Sequence, residues 1–162
     1  MADPVGDTVA AGGDGDLTIV RYGREQMCQR ELPNNTGGPV KPGEALMPAV
    51  DGEGNKVFEY HDGNEETPLF VAEEARGRGM DATTEEGYED GEQVTAQNVS
   101  GGGVNVYVSD GETVTFGQPL VPDEGTGDFI VATGSWSVAF ADETNDLSGA
   151  SAPALVATEV NI

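Results

Sequence analysis

Short valine-rich runs separated by Gly or Asp-Gly dominate the chain from residue 92 onward. These runs are QVTAQNV, VNVYVS, TVTFG, DFIVATG, SWSVAFA and ALVATEVNI. Runs of this length, rich in β-branched residues and bounded by turn residues, are typical of antiparallel strands joined by tight turns. The pattern predicts an all-β fold, an antiparallel barrel or sandwich.

Alternation within VNVYVS supports this prediction. Val104, Val106 and Val108 fall on one face of a strand, and Asn105 and Tyr107 on the other. Aromatic residues make up only 6% of the chain, so Val, Ala, Leu and Ile must supply most of the core. The 24 Gly and 9 Pro residues favour many turns and few long helices.

The first half of the chain is less regular. Residues 1–16 are small, polar and glycine-rich, and predict a flexible N-terminal arm before a single β-rich domain at 17–162. DLTIVRYG at 16–23 is the first candidate strand, and RELPNNTGGPVKPGEALMPAV predicts loops around short edge strands.

Two further runs predict strands, and a polar stretch follows them. KVFEYH alternates between two Asp-Gly pairs, as a hairpin strand does, whereas PLFVAEE has the length of a buried strand. EEARGRGMDATTEEGYEDGE, which follows, is predicted to be a polar excursion without core residues, with room for one helical turn.

Charge restricts the possible partners. Thirty Asp and Glu residues against seven Lys and Arg give a formal net charge of −23. This charge would repel nucleic acid and anionic membranes, so we expect no direct contact with either. Acidic residues are spread along the chain rather than gathered in a tail, and self-repulsion of this size is relieved by salt. The composition therefore predicts a protein of a very salty environment.

Candidate catalytic residues are few, and we predict that the chain is not an enzyme. His61 is the only histidine, and its position beside an Asp-Gly turn predicts a solvated side chain. Cys28, the only cysteine, excludes an internal disulfide and favours a small buried hydrophobe. Acidic pairs at 65–66, 73–74 and 85–86 could serve acid–base chemistry, but in so acidic a chain they favour a solvated surface. We predict no catalytic, cofactor-binding or metal-ligating residue, and no cofactor.

Several short patterns have a structural and a functional interpretation. DGEGNKVFE at 51–59 starts like a calcium loop, but Lys56 stands where such a loop needs Gly, which favours a hairpin turn. DEGTGD at 123–128 could hold a cation loosely. Arg76 and Arg78 lack the Gly-Lys-Ser/Thr ending of a phosphate loop, which leaves an ionic contact or a solvated loop.

Other patterns concern location and contact. The sequons NNT and NVS, at Asn34 and Asn98, match the glycosylation pattern, but nothing else demands secretion. The N-terminus has no basic start followed by an apolar core, and no apolar run approaches the ~20 residues of a membrane span. Trp136 is predicted to anchor the core or a contact surface.

The order of these motifs resembles the capsid decoration (cement) proteins of tailed viruses. In that family a VAEE strand leads to a polar loop, a Tyr precedes a Gly-Glu turn, and an alanine-rich strand, an Asp/Ser loop and a valine strand end the chain. The resemblance covers roughly residues 69 to 162, with VKPGEAL as a looser counterpart upstream. The matching segments are Val71–Glu74, Gly79–Asp81, Tyr88–Val94, Val114–Leu120, Val138–Asp146 and Leu155–Ile162.

The resemblance implies a small β-barrel or β-tulip on the outer surface of a virion. Proteins of this family often form trimers and bridge neighbouring major capsid proteins. We therefore expect a homotrimer that binds the major capsid protein, after assembly in the host cytoplasm. The acidity departs from bacterial-virus members and implies a tailed virus of a halophilic archaeon, in which the N-terminal arm reaches along the shell.

Three other interpretations stay open. GETVTFGQPL is similar to a hairpin of biotinyl and lipoyl carrier domains, although Lys41 and Lys56 do not lie in the sequence settings of a modified lysine. A surface adhesion or tail β-domain and an enzyme built on a β-barrel are the remaining alternatives.

Overall fold

The computed structural model describes residues 26–74, 87–100 and 102–160. Strands and turns make up these ranges, which contain no helix. The strands are β1 (Gln26–Pro33), β2 (Ala45–Val50), β3 (Lys56–Tyr60), β4 (Phe70–Ala72), β5 (Gln93–Ser100), β6 (Gly102–Val108), β7 (Thr113–Val114), β8 (Pro119–Pro122), β9 (Phe129–Val131), β10 (Ala139–Ala141), β11 (Asn145–Asp146) and β12 (Ala154–Val160).

Five strands form an antiparallel sheet in the order β1-β5-β4-β2-β3. β4 is the central strand, and all three of its residues are buried, as expected for a short apolar run with neighbours on both sides. β1 pairs with β5 over their whole lengths, from Gln26 opposite Ser100 to Pro33 opposite Gln93. A parallel bridge between Asn34 and Phe58 links the two outer strands at one end. The sheet is therefore partly closed.

A second set of strands closes into a barrel in the order β10-β12-β6-β9-β8. Its longest ladder joins β6 to β12, from Ala154 opposite Val108 to Val160 opposite Gly102. All pairs are antiparallel except β6 with β9, which are parallel at Val108 and Phe129. β7 and β11 form a small separate ribbon. The predicted all-β class and antiparallel barrel are confirmed.

The buried apolar residues form two clusters, and the one centred on the barrel also includes Ala45 of β2 and Val71 of β4 from the five-stranded sheet. The barrel core is built mainly from Val, Ala and Leu around Phe129, and Val106 and Val108 are fully buried as the alternation predicted. The core of the five-stranded sheet contains Phe58, Phe70 and Tyr88. Tyr88 is 1% exposed, so the prediction that the polar stretch around it holds no core residue is wrong.

Hairpin predictions are confirmed where the chain is described. β2 and β3 pair from Leu46 opposite Tyr60 to Val50 opposite Lys56, with residues 51–55 as the turn. The prediction of edge strands within residues 30–50 is confirmed for β1, which is an outer strand, but is wrong for β2, which lies between β4 and β3. β2 is internal only where β4 pairs with Ala45 and Leu46, and its Pro48 lies past that contact, where a missing N–H is tolerated.

Some predictions fall outside the described residues. These are the arm at 1–16, the candidate strand at 16–23, and residues 75–86 of the polar excursion that had room for a helical turn. Four predicted strands are shorter than expected. PLFVAEE contributes only Phe70–Ala72, TVTFG only Thr113–Val114, DFIVATG only Phe129–Val131 and SWSVAFA only Ala139–Ala141.

Candidate functional site

Trp136 separates two open grooves on the surface of the protein. Each groove has a volume of about 320 Å³. One is lined by Asp62, Asp123 and Glu124, together with apolar residues of β8 and β9. Trp136 also packs against the barrel core, so it serves both as a core anchor and as part of a surface. Of the two predicted alternatives, a core anchor or a contact surface, the packing against the core is confirmed.

The second groove, called the Glu65 groove below, lies on the other side of Trp136. Its floor is apolar, with Pro68, Leu69 and Val138, and its rim carries Glu65 and Glu66. Both glutamates are exposed, as predicted for this acidic pair. The Glu65 groove therefore combines an aromatic wall, an apolar floor and two carboxylates.

His61 lies beneath this surface and is fully buried, with an exposed fraction of 0%. The prediction of a solvated histidine is wrong, because residues distant in sequence cover the ring. The Trp136 ring stacks on that of His61 at a centroid distance of 6.4 Å. Neighbouring backbone completes the enclosure, since the His61 carbonyl accepts a hydrogen bond from Gly125 N (2.9 Å).

Both ring nitrogens of His61 are occupied. Nδ1 accepts a hydrogen bond from Gly63 N (3.0 Å), and Nε2 donates to the carbonyl of Thr67 (3.1 Å). Only the neutral imidazole protonated at Nε2 satisfies both contacts. Burial lowers the pKa of His61, while the Thr67 carbonyl and the nearby Asp62 carboxylate oppose that effect. The ring thus fixes the 61–67 turn and has no free lone pair for catalysis.

A buried acid lies where the five-stranded sheet meets the barrel. Glu44 is 8% exposed, and its Oε2 accepts hydrogen bonds from Lys41 N (2.9 Å) and from the hydroxyl of Tyr60 (3.3 Å). Burial raises the pKa of Glu44 to about 7, with the Asp128 carboxylate adding to the rise. The hydrogen bond from Lys41 N opposes it. Glu44 is therefore a proton-binding group of near-neutral pH.

Two neighbours of Glu44 respond to the same environment. Burial, reinforced by the charge of Glu44, raises the pKa of Tyr60 to about 12. Burial also raises the pKa of Asp128, with the carboxylates of Asp123 and Asp110 adding to it. Sequence analysis did not identify Glu44, because nothing in PGEAL distinguishes this acid from the exposed ones.

The segment around Glu44, residues 41–45, joins the two sheets through the backbone. Gly43 N donates to Ala72 O of β4 (2.9 Å), and Gly43 O accepts from Tyr107 N of β6 (3.1 Å). Ala45 N donates to Gly127 O in the turn between β8 and β9 (2.7 Å). Residues 41–45 are called the junction segment below.

Glycine is required at both contact points of the junction segment. Gly127 has a φ of +84°, and a Cβ there would lie 2.6 Å from Cε1 of Tyr60. Gly43 has a φ of +102°, and a Cβ would lie 2.9 Å from Cδ2 of Leu155. Any side chain at either position meets strain and collision together. The close approach of the two sheets depends on both glycines.

The acidic turns are closed by their own hydrogen bonds. In the 51–55 turn, Oδ1 of Asp51 accepts from Glu53 N (2.9 Å) and Asn55 N (2.8 Å). Contacts with Asn55 are the main cause that lowers the pKa of Asp51. The predicted hairpin turn is confirmed there. In the 123–128 turn, Oδ2 of Asp123 accepts from the Thr126 hydroxyl (3.1 Å).

The two sequon asparagines have structural roles. Asn34 is 2% exposed, and its amide donates to Gly38 O and Tyr88 O, both at 2.8 Å. Its Oδ1 accepts from the backbone and hydroxyl of Thr36. Asn98 donates to Leu69 O (2.8 Å) at the Glu65 groove. Both side-chain amides are thus used to hold neighbouring backbone.

The remaining candidate residues are scattered. Glu73 accepts a hydrogen bond from the side-chain amide of Gln29. Lys41 lies over the ring of Tyr107, whereas Lys56 is exposed at the start of β3. Arg76, Arg78 and the acidic pair at 85–86 lie outside the described residues, as does the side chain of Cys28.

Phe116 is the most exposed large apolar side chain of the described residues, at 71%. Its backbone is nevertheless fixed in the turn between β7 and β8. Phe116 N donates to the hydroxyl of Thr144 (3.1 Å), Gly117 N to Ala141 O (2.7 Å), and Thr115 N to the side chain of Gln118 (3.0 Å). A rigid turn that presents an aromatic ring to solvent suits a contact surface.

No protein-family model matches the chain, and no curated protein matches it in sequence. Within the described residues, no three His, Cys, Asp or Glu side chains are grouped so that they could hold a metal ion. The same residues include no helix of the length and apolarity that a membrane crossing requires.

Proposed function

We propose that the chain is a structural virion protein that binds the outside of the capsid shell of a tailed virus. It acts as a homotrimer that bridges neighbouring major capsid proteins. Each bridge is a passive mechanical contact, so the protein needs a rigid body and fitted surfaces rather than a reactive centre. The motif order of residues 69–162 resembles that of decoration proteins, and this resemblance is the starting point of the proposal.

The observation that carries the proposal furthest is the exposed ring of Phe116 on a hydrogen-bonded turn. Exposing an apolar ring to water is unfavourable, and a partner that covers it recovers that free energy. Because the backbone of the turn is already ordered, binding costs little conformational entropy. Phe116 is thus suited to insert into an apolar pocket of a neighbouring protein.

Rigidity of the body supports the same function. The junction segment ties the barrel to the five-stranded sheet by backbone hydrogen bonds on both sides. Force applied to one sheet is therefore passed to the other through short, directional contacts. Many such bodies on one shell, each linking several subunits, would stabilise it through multivalency.

The charge distribution supports a host of high internal salt. Of the seven Lys and Arg residues, only Arg30, Lys41 and Lys56 lie within the described ranges. The described part consequently has a higher ratio of acidic to basic residues than the complete sequence. At low ionic strength its carboxylates would repel one another across the surface.

Quantitative mass spectrometry of purified virus particles tests the proposal. The chain is expected at a copy number comparable to that of the major capsid protein. Limited trypsin treatment of intact particles should remove it while leaving the major capsid protein whole. Absence from the particles, or protection from trypsin until the shell is opened, would contradict a position on the outer surface.

The same material separates the alternatives. A tail or adhesion domain would be present at a few copies per particle, or would fractionate with cell envelopes. A biotinyl or lipoyl carrier would show the added mass of the cofactor on Lys41 or Lys56 in the intact protein.

A further inference from the structure

The Glu65 groove has the chemistry of a site for an apolar segment that carries positive charge. Trp136 forms one wall, Leu69 and Val138 lie in the floor, and Glu65 and Glu66 stand on the rim. Among the described residues, no Lys or Arg lies within 4.0 Å of either rim carboxylate. An arginine side chain would satisfy both features at once, because it pairs with carboxylates and stacks on indole.

The cations of the described residues are engaged or placed elsewhere. The guanidinium of Arg30 lies 5.7 Å from the centre of the Phe70 ring, and Nζ of Lys41 lies 5.9 Å from the centre of the Tyr107 ring. Lys56 is on the outer strand β3. The other four cations, all arginines, lie outside the described ranges, at 21, 24, 76 and 78.

Strand register shows which described residues lie next to the segments that carry these arginines. The N-terminal segment that the structure does not describe ends at residue 25. The next residue, Gln26, pairs with Ser100, and Ser100 is two residues from Asn98, which lines the groove. β1 and β4 are separated only by β5, a span of about 10 Å between strand axes. An extended chain reaches about 7 Å in two residues and about 17 Å in five. The backbone at Arg21 can therefore cover this span, and at Arg24 the long side chain has to bridge the remaining distance.

The other two arginines start from a less favourable place. The segment that carries Arg76 and Arg78 follows Glu74, beyond the end of β4 at Ala72. Leu69, in the groove floor, precedes the other end of that strand. Proximity therefore favours residues 17–25, whose sequence LTIVRYGRE also supplies apolar side chains for the floor.

We propose that residues 17–25 dock in the Glu65 groove of the same chain, with Arg21 and Arg24 against Trp136 and the rim glutamates. Apolar side chains of LTIV cover the floor at Leu69 and Val138. The docked segment extends the wall of the protein beside β5 and shields the indole from water. This inference is independent of the proposed role in the virion, because it concerns an intramolecular contact of the isolated protein.

Trp136 is the only tryptophan of the chain, so its fluorescence reports on the Glu65 groove directly. Acrylamide quenching is measured on the full chain and on the double variant Arg21→Gln/Arg24→Gln. Losing both cation–π and ionic contacts should release the segment and raise the Stern–Volmer constant about twofold. Arg76→Gln/Arg78→Gln removes the same charge elsewhere and is the matched control, expected to leave quenching unchanged.

A second pair of substitutions tests the contact itself. Glu65→Gln/Glu66→Gln should raise quenching as well, and combining it with the Arg21/Arg24 pair should add nothing, since both pairs remove one contact. Additive effects, equal effects of the control pair, or no effect of Arg21→Gln/Arg24→Gln would overturn the proposal. Protection that disappears on dilution would assign the segment to a second copy and would overturn docking within the chain. Far-UV circular dichroism shows which variants remain folded.

Discussion

Replacing Glu44 by Gln tests the buried junction between the two sheets. Glutamine keeps an oxygen that accepts from Lys41 N and the Tyr60 hydroxyl, and it resembles the protonated acid. Because burial raises the pKa of Glu44 in the folded state, the folded protein binds a proton between about pH 7 and pH 4.5, where the unfolded chain has lost it. The wild type is therefore favoured at low pH and loses this stability as the pH rises through 7.

The size of the effect follows from the two pKa values. A folded pKa of about 7 against 4.5 corresponds to a loss of roughly 2 to 3 kcal/mol in the free energy of unfolding between pH 5 and pH 8. The free energy of unfolding of Glu44→Gln should be nearest to that of the wild type at pH 5, and its advantage should grow by roughly 2 to 3 kcal/mol by pH 8. His61 is present in both proteins, so its opposite contribution, lost as the pH falls below 6.5, cancels in the comparison.

Urea unfolding at constant high salt, repeated from pH 5 to pH 8, measures this difference. Glu53→Gln removes one carboxylate from the exposed 51–55 turn and is the control for net charge. A stability difference between Glu44→Gln and the wild type that stays constant over this range would refute the assignment of a proton-binding acid at the junction. So would a variant that is less stable at pH 8.

Three other perturbations have definite expected outcomes. Gly127→Ala should lower the free energy of unfolding by about 2 kcal/mol or more, because strain at φ +84° combines with a collision on Tyr60. Gly134→Ala is the control. It has open space around it and should change the free energy of unfolding by less than about 0.5 kcal/mol. Both are measured by urea unfolding. Dialysis from molar salt to about 10 mM, where the Debye length reaches about 30 Å, should abolish the β spectrum in far-UV circular dichroism. Phe116→Ala should leave stability within about 0.5 kcal/mol and weaken binding to stripped virus particles about 30-fold in a sedimentation assay.

Different results would count against the corresponding arguments. Equal effects at Gly127 and Gly134 would mean that the approach of Tyr60 is not what requires glycine. A full β spectrum at low ionic strength would contradict the adaptation to salt. Unchanged particle binding by Phe116→Ala would remove this ring from the contact surface.

Local patterns predicted the fold well where a strand faces one core. The alternating valines of β6 show this, since Val106 and Val108 are fully buried in the barrel and Val104 packs against the same cluster while partly exposed. The 51–55 turn was also predictable, because Asp-Gly chemistry and the alternation of KVFEYH act over a few residues. Both cases need only information that is close in sequence.

Features that depend on distant residues could not be predicted. An Asp-Gly turn suggests exposure for His61, but Trp136 and the backbone of Gly125 cover it. Alternation from Val114 would place Phe116 in the core, yet the hydrogen bond between Thr115 N and the Gln118 side chain ends the strand and turns the ring outward.

In the candidate site, too, features set by nearby residues could be predicted and features set by distant residues could not. Trp136 was recognised as a residue for a core or a surface, because a single large ring in a chain poor in aromatics must do one or both. Glu44 and Tyr88 were missed, since residues distant in sequence bury each of them and neither lies in an apolar run.

Cryo-electron microscopy of purified particles tests the role in the virion most directly. A reconstruction of the head should show density that fits the closed barrel and the five-stranded sheet on the outer face of the shell, in contact with more than one major capsid subunit. Three copies should meet around each such position. A bare outer surface, or density for this chain only at the tail or inside the head, would contradict the proposed function.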